Sequence, residues 1–364
     1  MSGVGGAGAP AGGYGLLGIL IADSGGTRAR LNTVTQQAAD GLVSDSYAGL
    51  GAGAAVSLSL RPALQQAQAW QGDIDAASGR MQVAQTALAD ISGIATSFMA
   101  QTIGLNGLNP GTVDSVASNA RAALAQVANL LDSRDGDIYV FAGQDSANPP
   151  VPNPDQIAGG GFATQIATAV AGLAANGALV TIAATQAVAA SNAPGTSPFS
   201  AALSQPAATL AGLRPSIATG PGQASTVGLL ASANGDVASS GGSTSGSYIR
   251  DILRGLATLA GLSSSQANTA GFADVVADTR ASLQSAAGTL NADAGVMGDR
   301  QSALATQKTA WADTAASLAT QLASAEQVDM AKTLSSVSAL QTQLQASYQL
   351  IAAMQSLTLT KYLG

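Results

Sequence analysis

The chain contains no cysteine and no histidine among its 364 residues. Disulfide bonds, thiolate nucleophiles, imidazole acid–base catalysis and the common zinc sites are therefore excluded. Charged residues are scarce, at 10% against about 25% in a typical soluble protein. Aromatic residues make up only 4%, so the cores must be thin and built mainly on Ala, Leu and Met. Thin cores of this kind suit extended helical bundles better than a round globule.

The few charged residues limit which partners the chain is expected to bind and which reactions it could catalyse. The formal net charge is −7, and without clustered Lys and Arg the chain is not expected to bind nucleic acid. We expect no catalytic residue, no cofactor and no metal, because no paired-acid or glycine-loop motif has the context that such chemistry needs. A carboxylate-dependent enzyme stays open as an alternative. It would require two acids to converge in the middle of the chain, where Asp145, Asp155 and Asp236 are available.

Two long stretches carry apolar residues at the spacing of packed helices. In the last third the residues recur every seven positions, at Leu283, Leu290, Met297, Leu304, Trp311 and Leu318. In the first third, after Trp70, they alternate by three and four, at Ile74, Ala77, Met81, Ala84, Leu88, Ile91, Ala95 and Phe98. Both ends of the chain are therefore predicted to form long helices that pack along other helices.

The other elements are read from helix and turn signals. Helix is expected over 15–60 with breaks at Gly41 and 44–53, and a long helix is expected to start near Pro62, which suits a first turn, and to run to about 103. Further helices are predicted over 112–133, 248–262, 273–322 and 325–361.

The segment from 144 to 246 differs in composition from the rest, because Gly, Pro, Ser and Thr accumulate there and charges are rare. Strands are predicted at Leu179–Ala183 and Thr226–Ala231, with a hairpin between Ile217 and Val227. We expect a small, irregular, β-containing insert; a disordered loop is the alternative that this composition also permits.

The last helix is predicted to expose an apolar stripe in a free monomer, where Tyr348, Ile351 and Leu357 share a face. Such a stripe would be covered when copies assemble. The predicted assembly residues are Met330, Leu334, Val337, Leu344, Tyr348, Ile351, Leu357 and Leu363. A membrane role is the weaker interpretation, because four glutamines between 341 and 349 interrupt the apolar face.

The C-terminal segment ASAEQVDMAKTLSSVSALQTQLQASYQLIAAMQSLTLTKYLG resembles the C-terminal helix of bacterial flagellins and of the related hook–filament junction proteins (hook-associated protein 3). The residues that carry the likeness are Glu326, Asp329, Met330, Leu344, Gln345, Ala346, Ser347, Tyr348, Leu357, Leu359, Tyr362 and Leu363. Near the other end, Thr27–Leu42 is similar to the family's first helix and its glycine turn, here at Gly41. The following VSDSYAGLGAG departs from the family pattern.

A third segment distinguishes members of this family. Asp137–Gly143, followed by two prolines, is similar to the Tyr-Leu-Phe-Ala-Gly signature of the junction proteins, whereas flagellins usually carry a different turn there. The junction protein is therefore the favoured assignment. A flagellin-type filament subunit and a non-flagellar secreted adhesin or translocator remain the alternatives.

The resemblance implies a structural, non-enzymatic subunit whose terminal helices pack into concentric tubes, with the middle of the chain facing solvent. It also implies self-association, contacts with hook-associated proteins and flagellin, and an export chaperone. The expected location is the extracellular flagellum, without a cleaved signal peptide, since no Lys or Arg precedes the short apolar run 15–21. Nucleic acid and membrane are not expected partners.

The expected fold is mainly α: a long antiparallel, coiled-coil-like helical bundle formed by both chain ends, with a small β-containing central insert. Five segments are predicted. They are an N-terminal inner assembly segment (1–60), a helical hairpin (61–143), an outer insert (144–246), returning helices (247–322) and a C-terminal inner assembly helix (323–364).

Overall fold

The structure, a computed structural model, describes residues 12–106 and 108–363, with side chains except those of residues 12–14, 16 and 356–363. Over these residues the fold is mainly α with two short β-hairpins, as the sequence predicted. The helices are α1 (Gly12–Asp40), α2 (Gly53–Gln101), α3 (Pro110–Leu131), α4 (Gly161–Ala171), α5 (Leu173–Ala190), α6 (Ala207–Ala211), α7 (Tyr248–Gly261), α8 (Phe272–Glu326) and α9 (Met330–Leu363). The strands are β1 (Arg134–Asp135), β2 (Ile138–Tyr139), β3 (Ser216–Gly220) and β4 (Gln223–Thr226). The chain divides into two compact units, one from residues 1–68 and 313–364 and the other from residues 69–312.

The core of the 69–312 unit uses the apolar seams that the sequence predicted. All eight seam residues of α2 between Ile74 and Phe98 are buried, and so are Leu283, Leu290, Met297 and Leu304 of α8. They join one hydrophobic cluster with α3 and α7. Because small alanines are interspersed with larger apolar residues along the α2 seam, neighbouring helices can approach α2 closely while the larger side chains interlock.

Helix α7 is buried along its whole length, including charged side chains. Arg250, Asp251 and Arg254 are each at most 5% exposed. Asp251 accepts from the Thr244 hydroxyl and from the backbone N–H and hydroxyl of Ser245. Arg254 donates through Nη2 to the Ser243 carbonyl and to Asp278, whereas its buried Nε has no hydrogen-bond partner among the described residues. Buried charges persist only where such partners satisfy them, so α7 fixes the loops that surround it.

Two strand predictions in the insert were wrong. Leu179–Ala183 lies in α5, because a short apolar run fits a helix as well as a strand, and α5 packs against α4 and α7. The strand predicted over Thr226–Ala231 lies earlier, and β4 ends at Thr226. The hairpin itself is confirmed, since β3 and β4 pair antiparallel across the Gly-Pro-Gly turn.

The insert is ordered, so the alternative of a disordered loop was also wrong. Besides the hairpin, residues 144–246 contain α4, α5 and α6. Helix α5 is long and apolar enough to cross a membrane by length and composition, but Gly177 interrupts it with φ 74° and ψ 168°. The uninterrupted residues 178–190 span about 20 Å, less than the roughly 30 Å of a bilayer's hydrocarbon core. We interpret α5 as a helix packed within the insert.

The β3–β4 hairpin is held to α8 by Trp311. Its indole Nε1–H donates to the carbonyl of Thr219 at 2.7 Å, and the Gln307 amide donates to the same oxygen at 2.9 Å. The indole also packs on Trp70, with ring centroids 4.3 Å apart. The hairpin and the two long helices therefore meet at one aromatic pair.

We expect Trp311→Phe to lower the free energy of unfolding by about 1 kcal/mol, because the ring contact survives and one hydrogen bond to Thr219 is lost. Urea denaturation of the full chain, followed by far-UV circular dichroism, measures the change. The matched control is Trp70→Phe, which leaves the Trp311–Thr219 bond in place. Equal midpoints for the two variants would show that this bond does not stabilise the hairpin.

The 1–68/313–364 unit consists of α1, the first turns of α2, the end of α8, and α9. Helix α1 packs along α9, and it ends before Gly41, whose φ of 71° favours glycine. The predicted break at Gly41 is confirmed. The predicted start of α2 near Pro62 was wrong: α2 begins at Gly53, and Pro62 lies inside it. The proline removes the donor for the Leu58 carbonyl, but Leu58 is 56% exposed, so water can bond to that oxygen.

Candidate assembly surface of the terminal helices

The paired helices α1 and α9 are built on one shared heptad pattern. In α1 the more covered positions are Leu20, Ser24, Thr27, Leu31, Val34 and Ala38, and in α9 they are Thr333, Val337, Leu340, Leu344, Ser347, Ile351 and Met354. Steps of three and four on both helices bring these residues to one seam, the geometry of a two-stranded coiled coil. The pair is therefore closed along this seam within a single chain.

The predicted assembly residues divide between this seam and the surface. Val337, Leu344 and Ile351, seven residues apart, are partly buried on the side of α9 that packs against α1. The prediction of Ile351 on an open stripe therefore needs correction, because α1 partly covers it. The side chains of Leu357 and Leu363 lie outside the described residues.

The other predicted assembly residues are exposed. Met330 is 42% exposed, Leu334 is 55% exposed and Tyr348 is 49% exposed. Leu334 and Tyr348 are fourteen residues apart, which is two heptads, so they lie on the same flank of α9. We call Met330, Leu334 and Tyr348 the outer flank. It leaves large apolar side chains in water, which is typical of a surface that another molecule covers.

Sequence reasoning missed further exposed apolar residues in this unit. Ile19 is 61% exposed and Ile21 is 50% exposed on α1, and Leu350 is 54% exposed on α9. The seam pattern of α1, with Leu20 between the two isoleucines, was the signal that would have placed them outside the seam. A groove of about 710 Å³ also opens on the pair, and its lining residues are Ala29, Arg30, Thr33, Val34, Gln37, Ser336, Ala339 and Leu340. Such a groove can receive the side-chain ridge of another helix.

A polar cluster lies where α8 ends and α9 begins. Glu326, the single glutamate of the sequence, is 8% exposed, and Ser57 is fully buried. The Arg61 guanidinium donates two hydrogen bonds to the Glu326 carboxylate, from Nε to Oε1 and from Nη2 to Oε2, both at 2.8 Å. The Ser57 hydroxyl also donates to Oε1. The hydrogen bonds from Arg61 and then Ser57 hold the pKa of Glu326 below its usual value.

Backbone pairing joins the two connecting segments at the same place. Val43 N–H donates to the Glu326 carbonyl at 2.7 Å, and Val328 N–H donates to the Gly41 carbonyl at 3.0 Å. Leu42 and Gln327 thus form an antiparallel bridge. A Cβ added at Gly53 would come within 2.9 Å of the Ala325 carbonyl oxygen, so glycine is required for this close approach. The α1–α2 and α8–α9 connections are therefore held together by backbone hydrogen bonds and by the close approach at Gly53.

The acids that an enzyme would need are engaged separately. Asp145 accepts from Asn148, and Asp155 accepts from Asn129. Burial raises the pKa of Asp236, but hydrogen bonds from Arg214 and Arg300 outweigh it and bring the value to about 2. In the described parts of the chain, no group of three or more potential ligands is placed to hold a metal ion. These carboxylates stabilise loops and do not converge by hydrogen bonding on one another.

Comparison with known proteins gives one result that bears on these helices. Residues 281–363 match the family described as the bacterial flagellin C-terminal helical region. No curated protein matches the chain. The match begins within α8 and extends through the end of α9, so it includes the Glu326 cluster, the seam residues of α9 and the outer flank. The likeness to bacterial flagellins is thus shown for this C-terminal helical region.

Proposed function

We propose that this protein is a structural subunit of the bacterial flagellum that assembles with copies of itself through its terminal helices. The observation that carries the proposal is the outer flank on the α1–α9 pair. The seam of α9 is already occupied by α1, yet Met330, Leu334 and Tyr348 remain exposed, within the region that matches flagellins. A coiled coil that is closed on one side and apolar on another is suited to packing beside further coiled coils.

The scarcity of charge supports assembly as well. Interfaces are depleted in Lys, Glu and Asp relative to other surfaces, and beyond Asp329 the chain has only Lys332 and Lys361 as charged side chains. Few ionised groups would have to be desolvated when α9 is enclosed by neighbouring copies.

The proposal also assigns the segments of the chain to layers of the assembly. Residues 1–60 and 323–364 lie innermost, 61–143 and 247–322 lie around them, and 144–246 lies outermost.

Within the flagellum we propose that the protein forms the hook–filament junction, with hook-associated proteins and flagellin as its neighbours. We propose further that an export chaperone binds it before export. The support is the Asp137–Gly143 segment. It forms β2 and the turn after it, where Phe141 is 1% exposed and Gly143 has φ 67°. The segment thus closes the α2–α3 hairpin against the insert, as its likeness to the junction signature implies. A flagellin-type filament subunit is the alternative, and a secreted adhesin or translocator is the next.

Electron microscopy of cells that lack the gene tests the proposal and separates the alternatives. Hooks without filaments, together with flagellin monomers shed into the medium, are the expected result for a junction protein. A complete junction with a missing or altered filament would instead indicate a filament subunit. Restoring the gene on a plasmid is the control. Normal filaments and normal swimming in the deletion strain would contradict a flagellar role and favour the adhesin or translocator.

A further inference from the structure

Three asparagines of the chain are followed directly by glycine: Asn106, Asn176 and Asn234. This pair is the one most open to deamidation, because glycine has no side chain to shield its backbone nitrogen from the neighbouring amide carbon. The reaction also requires that the side-chain amide and the following nitrogen be free to approach each other. Residue 107 lies outside the described residues, so the fold can be compared at Asn176 and Asn234.

Hydrogen bonds hold both the side chain of Asn234 and the nitrogen that would attack it. The Asn234 Nδ2 donates to two acceptors in its own loop, at 2.8 and 2.9 Å, and its Oδ1 accepts the Tyr248 N–H at 2.9 Å. The nitrogen of Gly235 donates to the buried Asp293 carboxylate at 2.7 Å. Attack on Asn234 would break these bonds, so this pair can react only after local unfolding.

Asn176 lies in the first turn of α5, next to the break at Gly177. Both residues are exposed, and Gly177 has φ 74° and ψ 168°, outside the helical range. In the described part of the chain no hydrogen bond engages the Asn176 side-chain amide, which lies close to Gly172. A Cβ added at Gly177 would meet nothing within 4 Å, so the space beside this residue is open.

We propose that Asn176 is a site of spontaneous deamidation. The backbone nitrogen of Gly177 loses its proton and attacks the side-chain carbon Cγ of Asn176, which forms a new C–N bond. The bond between Cγ and Nδ2 breaks, and ammonia leaves with the proton that Gly177 released. Water then opens the cyclic imide at either carbonyl and gives aspartate or isoaspartate. Water is therefore the only co-reactant.

The product adds a charge to a neutral part of the insert. Residues 156–213 contain no Asp, Glu, Lys or Arg, and Leu179 and Val180, which follow the site, are 85% and 57% exposed. A carboxylate at 176 stays in water. It also lies near the N-terminal end of the helical residues 178–190, where negative charge is favourable. We therefore expect the modified chain to keep its fold and to differ mainly in charge.

Peptide mass spectrometry of the full chain, sampled during incubation at neutral pH, tests the proposal. Chymotrypsin cleaves after large apolar residues and releases the two pairs in separate peptides, 174–179 and 231–248, each with a single asparagine. We expect Asn176 to deamidate at least about 100-fold faster than Asn234, because four hydrogen bonds protect the Asn234 pair. Labelling with an isoaspartyl methyltransferase detects the isoaspartate product.

Two variants and one condition serve as controls. Asn176→Gln lengthens the side chain, so the imide ring closes far more slowly and the acidic form seen on isoelectric focusing of the aged wild type should be missing. Asn176→Asp should focus with that acidic form from the start and keep the far-UV circular dichroism of the wild type. In concentrated urea both pairs should react at similar rates, because unfolding removes the protection of Asn234.

Equal rates at Asn176 and Asn234 in the folded chain would overturn the proposal. An Asn176 that stays intact in the folded chain but reacts in urea would also overturn it, as would an acidic form that appears equally fast in Asn176→Gln. Each of these outcomes concerns the single chain, so the proposal does not rest on the proposed function.

Discussion

A chain carrying Leu334→Asp with Tyr348→Asp is expected to remain a folded monomer and to lose self-assembly. Both side chains are about half exposed in the single chain, so the carboxylates stay hydrated and the α1–α9 seam is untouched. In an assembly the same carboxylates would have to be buried against apolar neighbours. A penalty of about 3 kcal/mol would raise the critical concentration for polymerisation by more than about 100-fold. Sedimentation and electron microscopy over a concentration series measure this change.

The matched double variant, Leu344→Asp with Ile351→Asp, places the same charges on the seam. These residues are partly buried where α9 packs against α1, so the expected result is loss of the pair within the monomer as well as loss of assembly. Limited proteolysis separates the two variants, because only the seam variant should be cut rapidly within α1 and α9. The outer flank would be refuted as an assembly surface if Leu334→Asp with Tyr348→Asp polymerised at the wild-type concentration.

Arg250→Met is expected to destabilise the insert by about 3–5 kcal/mol. The guanidinium donates to the carbonyls of Ser232 at 3.0 Å, Ala189 at 3.0 Å and Ser191 at 3.1 Å, and to the Asn192 side chain at 2.7 Å. Methionine keeps most of the apolar stem but leaves these acceptors without that donor. Burial lowers the pKa of Arg250 to about 10, so the side chain is still charged at neutral pH and its bonds are charge-assisted.

Urea denaturation of the full chain measures the effect of Arg250→Met, with near-UV circular dichroism reporting tertiary packing. Arg134→Met is the matched control, because its side chain is 47% exposed and its ion pair with Asp137 is long, at 4.0 Å. We expect the control to change stability by no more than about 0.5 kcal/mol. A free energy of unfolding for Arg250→Met within about 1 kcal/mol of the wild type would show that water replaces the guanidinium at little cost.

The helices were predictable where apolar residues repeat over many turns. The seams of α2 and α8 are long enough to specify both the helix and its buried side. Prediction failed where a signal was short or local. The run Leu179–Ala183 fits a strand as well as a helix, and its contacts with α4 and α7 decided for the helix. Pro62 usually indicates a helix start, but the exposed Leu58 carbonyl allows α2 to continue through it.

The candidate surface was only partly predictable. The sequence picked out the apolar positions of α9, but periodicity cannot tell which of two apolar sides meets a helix of the same chain. Which side of α9 is buried depends on its partner helix α1, and α1 is nearly 300 residues away in sequence. Likewise, Glu326 is conspicuous as the single glutamate, yet its bonds to Ser57 and Arg61 join residues 269 and 265 positions apart.

By itself, the amino-acid sequence determined that this protein is mainly helical, that its chain ends carry heptad seams, and that thiol and imidazole chemistry are absent. These properties follow from composition and from the helical repeat, both of which are local. Only the tertiary structure decided that α1 covers one side of α9 and leaves the outer flank exposed, that the insert is ordered, and that Glu326 is hydrogen-bonded to Ser57 and Arg61. Those features depend on contacts between distant segments, which no local pattern in the chain specifies.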